Sequence, residues 1–548
     1  MTGYFNPPYR CGMASLSMNA AAPSHCAVCA RIAFLFMLTL PAGAAMPRSP
    51  PSAPAPGAWT PIDARQLIPR LYGASHMLWL SDGPVRARLA LRLLRGAREH
   101  GLDPANYDVD RLERRLDEPL DRTAAIAFDR ELSTAMLQYL ADLHAGRVAS
   151  AYRQVPGTDR GFDPVDRLHQ ALQEGGLEDV IEAAAPSIPL YGRVKSALAR
   201  YRDMARSAPH WAALPHPSPA VAPGDAYPGS ALLRERLRLL GDLDGVTEAD
   251  DGTYTAALAA AVRRFQARHG LAEDGILGPG TVAALSVPLS RRVTQLALTL
   301  ERLRWLPPIT SGRVVAVNVP TYRLWTVDAR DNYAAPSLEM RVIVGTAART
   351  QTPLFIGEVR YLEFNPYWNV PPSIQSAEIV PRLARNPAYL EQNDMEVVGA
   401  DGRPRQLAPA AALDALRAGS ARVRQRPGAR NVLGELKFAM PNPMNIYLHS
   451  TSAKELFGRS RRDLSHGCIR VERPAELAQF VLADPQRWNA AAVAAAMADG
   501  RNRSVSLPRP VPVILFYATA LADRHGRVLF SQDIYGLDPA LAAALHLE

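Results

Sequence analysis

The residues best suited to chemistry lie in one stretch near the carboxyl end, Tyr447 to Pro474 (YLHSTSAKELFGRSRRDLSHGCIRVERP). This stretch holds Cys468, with His449 and His466 nearby in sequence. A cysteine reacts as its thiolate and has an ordinary pKa of about 8.5, so a neighbouring imidazole is the usual activator. Gly467 leaves room beside the sulfur for backbone N–H groups, which stabilise the oxyanion of an acyl-transfer intermediate. The stretch therefore predicts a cysteine nucleophile.

The predicted elements around the cysteine are short. Residues 444–448 (MNIYL) are typical of a strand, and Pro474 is expected to open a helix over residues 475–482, because proline is favoured in the first helical turn. Cys468 is then expected at a strand end or turn, close to a helix start. A buried packing cysteine with two core histidines is the alternative.

The order of these residues resembles the signature of the YkuD-type L,D-transpeptidases, which is a histidine, a spacer in the mid-teens and then [S/T]-H-G-C. Fifteen residues separate His449 from residues 465–468 (SHGC). The resemblance implies two-step acyl transfer, with Cys468 as nucleophile and His449 as general base. It also implies that the backbone carbonyl of Ser450 orients the imidazole.

The remaining residues of the motif are expected to support the intermediate. His466 and Gly467, with the amide of Cys468, are predicted to shape the oxyanion hole. Ser465 is expected to make local hydrogen bonds.

Three further residues are candidates for substrate binding. Arg470 is predicted to hold a substrate carboxylate, because a guanidinium binds carboxylates through two parallel hydrogen bonds; a surface pair with Glu472 is the alternative. Tyr447 and Trp368 are candidates to line the cleft, and each is equally a candidate core residue.

The resemblance also implies a substrate. The donor would be a peptidoglycan tetrapeptide stem, cut at the bond between its diamino acid and D-Ala. D-Ala would leave, and the amine of a second stem would resolve the thioester, giving a 3→3 cross-link. No cofactor and no metal are expected.

Three rival interpretations stay open. An L,D-carboxypeptidase, endopeptidase or amidase of the wall would use the same nucleophile and pass the acyl group to water. A zinc hydrolase would use His449, His466 and Cys468 as ligands, although no matching carboxylate motif appears. A non-catalytic wall-binding scaffold is the third.

Length and charge limit the protein class. A chain of 548 residues suggests about three domains. The net charge is +9, but arginines are scattered among acidic residues and no nucleic-acid motif is present. A solvated basic surface facing an anionic envelope is therefore expected, without a nucleic-acid partner.

The amino terminus resembles an export signal. Arg31 precedes the apolar run at residues 32–40, and PAGAA follows, which is the layout of a cleavable signal over residues 1–45. The run is shorter than the roughly twenty residues of a membrane span. Periplasmic or envelope localisation follows, with membrane association only if the signal is uncleaved. Cys11, Cys26 and Cys29 precede the cleavage site, so Cys468 would have no disulfide partner.

The fold class predicted is multidomain α+β: a helical scaffold region and a small helical module, then a mostly antiparallel β catalytic domain with a partly helical lid insertion. Apolar periodicity predicts helices over 85–100, 124–143, 232–240, 255–269 and 291–305. Alternation of β-branched and aromatic residues predicts strands over 314–319, 322–327, 339–344, 358–364 and 510–517.

Composition shifts divide the chain further. The predicted segments are a Pro-rich tether (46–58), a scaffold domain (59–207), a Pro-rich linker (208–229), a peptidoglycan-binding-like module (230–287), a connecting helix (288–310) and a catalytic domain (311–548) whose lid occupies about 376–431.

Two stretches of the scaffold segment, GLDPANYDVDRL and LADLHAGRV, resemble the N-terminal scaffold region of the large YcbB-like L,D-transpeptidases. This resemblance implies a docking or architectural role. FQARHGLAEDGILGPGT resembles the peptidoglycan-binding module of wall enzymes, with a helical spacer as the alternative. The partners implied are peptidoglycan stem peptides and glycan, and other cell-wall synthesis enzymes are further candidates.

Overall fold

The computed structural model describes residues 64–73, 77–148, 162–245, 251–307, 312–329 and 337–547. The predicted export signal, the Pro-rich tether and three of the four cysteines lie outside the described residues. No helix in the described part of the chain is long and apolar enough to cross a membrane.

The first described region is helical, and its helices pack around the long helix α4. The buried Asp129 of α4 accepts hydrogen bonds from the Tyr72 hydroxyl at 2.6 Å and from the backbone N–H groups of Leu78 and Trp79 at 2.8 Å. Helix α2 ends before residue 100, as a 3₁₀ turn begins at Gly96, where the missing side chain lowers helix propensity. The helices are α1 (Ala64–Tyr72), α2 (Val85–Arg95), α3 (Val109–Leu116), α4 (Arg122–Ala145), α5 (Pro164–Glu174), α6 (Leu177–Ala184) and α7 (Pro189–Ser207).

A smaller helical unit follows, made of α8 (Ser230–Leu239), α9 (Ala256–Arg268) and α10 (Pro279–Leu285). The buried amide of Gln266 accepts the Gly275 N–H at 2.8 Å and donates to the Asp274 carboxylate at 2.9 Å, which fixes the turn before α10. Tyr254, Phe265 and Leu277 fill its core.

Helix α11 (Leu289–Arg304) joins the helical region to the β domain through buried charges. Glu301 and Arg304 are paired at 2.9 Å with almost no exposure. Glu301 also accepts the Val148 N–H at 2.8 Å, and Arg304 donates to the Tyr191 hydroxyl at 3.0 Å. Because each charge has several polar partners, the pair fixes how α7 and the α4 end sit against α11.

The β domain is built on a nine-stranded sheet whose pairing closes on itself. The described strands are β1 (Arg313–Asn318), β2 (Arg323–Asp328), β3 (Leu338–Gly345), β4 (Phe355–Phe364), β5 (Trp368–Asn369), β6 (Met395–Val398), β7 (Arg422–Gln425), β8 (Leu436–Ala439), β9 (Leu448–His449), β10 (Asp463–Ser465), β11 (Ile469–Val471), β12 (Arg503–Phe516), β13 (Ala520–Ala522) and β14 (Val528–Phe530). Neighbours run β2–β3–β11–β9–β8–β4–β12–β1 and return to β2, while β10 continues along β3.

Most strand pairs are antiparallel, as predicted, but three pairs are parallel: β1 with β12, β3 with β10 and β9 with β11. The ring encloses an apolar core that includes Val317, Leu362, Phe438 and Ile469. Helices α16 (Pro474–Leu482) and α17 (Ala490–Ala498) pack against this core.

The insertion between β4 and β8 has its own small core and a three-stranded sheet, in the order β5–β7–β6. Its helices are α12 (Pro372–Ile374), α13 (Val380–Arg385), α14 (Tyr389–Gln392) and α15 (Pro409–Arg417), with a π-helical turn over Gln375–Ile379. The predicted partly helical insertion is therefore confirmed as helix and sheet together.

The chain ends in the hairpin β13–β14 and helix α18 (Asp538–Ala544). Phe530 of the hairpin packs edge-on against Tyr201 of α7, with ring centroids 5.3 Å apart. Arg302 of α11 pairs with Asp538 at 2.5 Å. Through these contacts the last segment connects the β domain to the helical region.

The strand predicted over 444–448 is wrong: only Leu448 and His449 are paired. The Asn442 amide accepts the Met444 N–H at 3.0 Å and donates to the Ile446 carbonyl at 2.7 Å, and Asn445 has a φ of +54°. Asparagine side chains that bond nearby backbone favour turns over ladders. Residues 442–446 therefore form a tight loop.

Glu301→Ala is expected to destabilise the protein by about 3–5 kcal/mol, because it leaves the buried Arg304 guanidinium without its carboxylate. The measurement is urea unfolding followed by tryptophan fluorescence. Glu358→Ala, which breaks an exposed pair with Arg360, is the matched control and should cost less than about 1 kcal/mol. Equal midpoints for the two variants would contradict this account of the joint.

Candidate active site

Strand β9 holds His449 between two neighbouring strands. Its residues pair with β8, where His449 lies opposite Lys437, and with β11, where His449 lies opposite Arg470. Backbone pairing on both sides restricts the position of the residue, and only 4% of His449 is exposed. The imidazole is therefore fixed before any substrate arrives.

The His449 ring has a defined tautomer. Its Nδ1 lies 2.6 Å from the Ser450 carbonyl oxygen, which only accepts, so Nδ1 carries the hydrogen and Nε2 is left as the proton acceptor. Burial, followed by the nearby charge of Arg470, lowers the pKa of His449 to about 3. At neutral pH the ring is thus neutral.

Ser450 is itself held in place. Its hydroxyl donates to the Leu433 carbonyl at 2.9 Å and accepts the Leu436 N–H at 3.0 Å. Gly434 passes so close that a Cβ there would lie 2.2 Å from the Ser450 hydroxyl, and its φ is +62°. A glycine is required at this approach, and it lets the loop fix the carbonyl that orients His449.

Residues 465–468 form the turn between β10 and β11, called the nucleophile loop after the role predicted for Cys468. The Ser465 side chain bridges this turn. The Ser465 hydroxyl donates to the Cys468 carbonyl at 2.6 Å and accepts the Gly467 N–H at 3.2 Å. Gly467 has a φ of +109°, a backbone conformation that favours glycine. Ser465 therefore makes local hydrogen bonds that join the two sides of the turn.

The Cys468 thiol is half-buried and 3.6 Å from the Asn445 carbonyl, to which it donates. Burial raises the pKa of this thiol, while hydrogen bonds from Tyr447 and the charges of Lys437 and Arg470 act in the opposite direction. Because burial is the largest effect, the resting sulfur is a thiol. A nucleophilic role would require this proton to leave.

His466 points to the insertion. Its Nε2 lies 2.6 Å from a carboxylate oxygen of Glu378, which also pairs with Arg382 at 3.2 Å. Glu378 belongs to the π-helical turn, a distortion that is frequent at functional sites. The exposed imidazole of His466 therefore links the nucleophile loop to the insertion.

Arg470 follows the nucleophile on β11 and is half-buried. Its Nε is buried and has no hydrogen-bond partner in the part of the chain that the structure describes. The alternative partner Glu472 instead binds Arg341, with its carboxylate 2.9 Å from the Arg341 Nε. Burial lowers the pKa of Arg470.

The two aromatic candidates lie in different places. Tyr447 lies edge-on to His449, with ring centroids 5.7 Å apart, and Lys437 sits 4.8 Å above its ring. Trp368 is on β5 and packs against the core of the insertion. Tyr447 is thus beside His449, whereas Trp368 supports the insertion. No group of three or more His, Cys, Asp or Glu side chains within the described ranges is placed to hold a metal ion.

Comparison with known proteins assigns the β domain. Residues 312–510, which contain the nucleophile loop and His449, match the family model of the L,D-transpeptidase catalytic domain, YkuD. Residues 312–510 are thus similar in sequence to L,D-transpeptidase catalytic domains. Residues 66–198 match a model described as "Scaffold domain", and residues 228–285 match one described as "Putative peptidoglycan binding domain".

Individual relatives agree with this assignment. A Haemophilus influenzae protein named "Putative L,D-transpeptidase" is 33% identical over 258 residues, which cover 46% of this chain and 50% of the relative. The match thus spans about half the length of that curated relative. A crystal structure of the L,D-transpeptidase (residues 123–326) from Xylanimonas cellulosilytica covers 55% of this chain and 98% of its own, at 17% identity and a TM-score of 0.18. That TM-score is too low to support an argument about the fold.

Several residues around the candidate site were not predicted from the sequence: Asn445, Glu378, Thr352 and Lys437. The last three come from other segments, so no local spacing marks them. Asn445 carried a weak signal, because asparagine after a Pro-Asn-Pro run is typical of turns.

Alkylation of Cys468 by iodoacetamide is expected to be slow at pH 7 and to rise through pH 9, because a raised thiol pKa leaves little thiolate at neutral pH. The rate is measured by mass spectrometry of the full chain. Cys468→Ala supplies the background from the other three cysteines. Lys437→Ala should move the rise to higher pH, since a stabilising charge is lost. A rate plateau between pH 5 and 7 would instead reveal a preformed thiolate.

Proposed function

We propose that the protein is a peptidoglycan L,D-transpeptidase that forms 3→3 cross-links through a thioester on Cys468. The observation that carries this proposal is the neutral, oriented His449 on the strand paired with the segment that follows the cysteine. A neutral imidazole whose Nε2 carries no hydrogen is the form that can accept a thiol proton. The family assignment of residues 312–510 supports the same chemistry.

The first half-reaction forms the acyl-enzyme. The Cys468 sulfur attacks the carbonyl carbon between the stem's diamino acid and D-Ala, and His449 Nε2 accepts the thiol proton. The imidazolium then gives that proton to the leaving nitrogen as the C–N bond breaks, so that D-Ala departs with an uncharged amine and a thioester remains.

The second half-reaction transfers the acyl group. A side-chain amine of a second stem attacks the thioester carbonyl, and His449 takes a proton from that amine. The C–S bond breaks, and the proton returns to the sulfur, which restores the thiol. An amide cross-link forms and no cofactor is consumed.

The oxyanion of each tetrahedral intermediate needs hydrogen-bond donors. The backbone N–H group of Cys468 is our candidate, with Gly467 and His466 shaping the site around it. The Ser465 hydroxyl keeps the turn from relaxing, because it bonds both the Gly467 N–H and the Cys468 carbonyl.

We assign the stem's carboxylate to Arg470. Its Nε has no described partner, and Glu472, the competing carboxylate, is engaged by Arg341. A half-buried guanidinium with unused donors has a strong preference for a bidentate anion.

The insertion is proposed to act as a lid over this cleft. One contact with the loop is the hydrogen bond between the Glu378 carboxylate and the His466 imidazole, whose side chains are 30% and 49% exposed. Pairs this exposed contribute about 0.2–1 kcal/mol, which is small enough for reversible opening.

The other regions fit a wall-acting enzyme. We propose that the module at residues 230–287 binds peptidoglycan glycan, that the helical region positions the enzyme or docks other wall-synthesis enzymes, and that the protein works in the periplasm. The model matches at 66–198 and 228–285 support these roles.

Incubation of the full chain with tetrapeptide muropeptides is expected to yield a cross-linked dimer that lacks one D-Ala, detected by mass spectrometry. Cys468→Ala should abolish this product. Free tripeptide alone would make the enzyme an L,D-carboxypeptidase with water as acceptor. No product from the wild-type chain would favour a non-catalytic wall-binding scaffold.

Glu378→Ala is expected to speed trypsin cleavage within residues 376–431 by about 1.4- to 5-fold, which corresponds to the loss of an exposed ion pair. Cleavage is followed by mass spectrometry, with and without a thiol-acylating inhibitor. Glu391→Ala, an exposed carboxylate of the same insertion without a described ion pair, is the control. Identical cutting in all samples would count against a lid.

A further inference from the structure

A network of hydroxyl groups reaches the Gly467–Cys468 peptide from the end of the chain. The first member is Thr352, in the segment between β3 and β4, whose side chain is buried. Its hydroxyl donates to the Gly467 carbonyl at 2.8 Å and accepts the Gly345 N–H at 2.9 Å. This hydroxyl donates one hydrogen bond and accepts another, so its orientation is fixed.

The bond from Thr352 sets the direction of a peptide plane. A trans peptide is planar, so its C=O and its N–H point in opposite directions. The carbonyl of Gly467 and the N–H of Cys468 belong to the same peptide. A hydroxyl that holds the carbonyl therefore aims the Cys468 N–H away from Thr352.

The second member is Tyr535. Its hydroxyl donates to the Gly345 carbonyl at 2.7 Å and accepts the Thr352 N–H at 3.0 Å. Gly345 is thereby held through both of its backbone polar groups. A Cβ on Gly345 would lie 1.9 Å from the Thr350 carbonyl, so the strand end has no room to shift.

Tyr535 is placed by its own anchors. Its N–H donates to the Tyr517 hydroxyl at 3.0 Å, and Tyr517 in turn donates to the Asp533 carboxylate. Asp533 also accepts the N–H groups of Leu537 and Asp538 at 2.9 Å. Burial raises the pKa of Tyr535, so its hydroxyl keeps its hydrogen.

We propose that Tyr535 and Thr352 are positioning residues for the oxyanion hole of the Cys468 nucleophile. They act through Gly345 and Gly467, and neither touches the reacting atoms. Tyr535 lies beyond residue 510, where the match to the catalytic-domain model ends. The inference deepens the proposed acyl transfer and rests on it.

Two reagents separate positioning from general loosening. 4-Nitrophenyl acetate acylates a thiol through a tetrahedral oxyanion, whereas iodoacetamide alkylates the same sulfur without one. Both rates are measured at Cys468 by mass spectrometry of the full chain, with Cys468→Ala as background. In Tyr535→Phe and in Thr352→Val, acylation should fall at least about 10-fold, while alkylation changes less than about twofold.

Two further variants test the assignment. Thr352→Ser keeps the hydroxyl and should restore most of the acylation lost in Thr352→Val. Tyr254→Phe removes a buried tyrosine hydroxyl, which donates to the Gly275 carbonyl at 2.7 Å in the helical unit α8–α10, and should leave both rates unchanged.

With muropeptides as substrate, Tyr535→Phe should lower kcat and leave KM within about twofold, because the defect lies in the intermediate. Equal losses of acylation and alkylation, or no loss of either, would overturn the positioning role. Failure of the wild-type chain to act on muropeptides would refute the proposed function alone, because the ratio of the two reagent rates is measured without peptidoglycan.

Discussion

The hydrogen bond from His449 Nδ1 to the Ser450 carbonyl is the constraint on which the site depends. It fixes the tautomer, and the tautomer decides which nitrogen can take a proton. The bond exists because β9 is paired on both sides and because Ser450 is tied to the loop before β8. The strands paired with β9 therefore help to hold the Ser450 carbonyl beside the His449 imidazole.

Burial has opposite consequences for the two reacting groups. It lowers the pKa of His449 and raises the pKa of Cys468, so both are neutral at rest. A neutral thiol is less reactive than a cysteine that is already ionised at rest. In return, the sulfur is protected from adventitious alkylation and oxidation, since those reactions need the thiolate.

The sequence predicted the fold class and the regular elements well, because helices such as α4 and strands such as β2 carry strong periodicity. The motif around Cys468 predicted that His449 lies near the cysteine loop. In the structure, His449 is on β9, which pairs with β11, the strand that follows Cys468. The strand at 444–448 failed because the Asn442 side chain competes for the backbone. Glu378 and Tyr535 were missed because both reach the loop from distant segments, and tertiary contacts leave no trace in local spacing.

Strand β12 runs from Arg503 to Phe516 and pairs with both β1 and β4, so it closes the ring. The family match ends at residue 510, inside this strand. A fragment cut at that point would lose half of a central strand, the hairpin against α7 and the tyrosine behind the nucleophile loop. An expression boundary for the β domain therefore has to lie after this terminal segment, and not at the end of the family match.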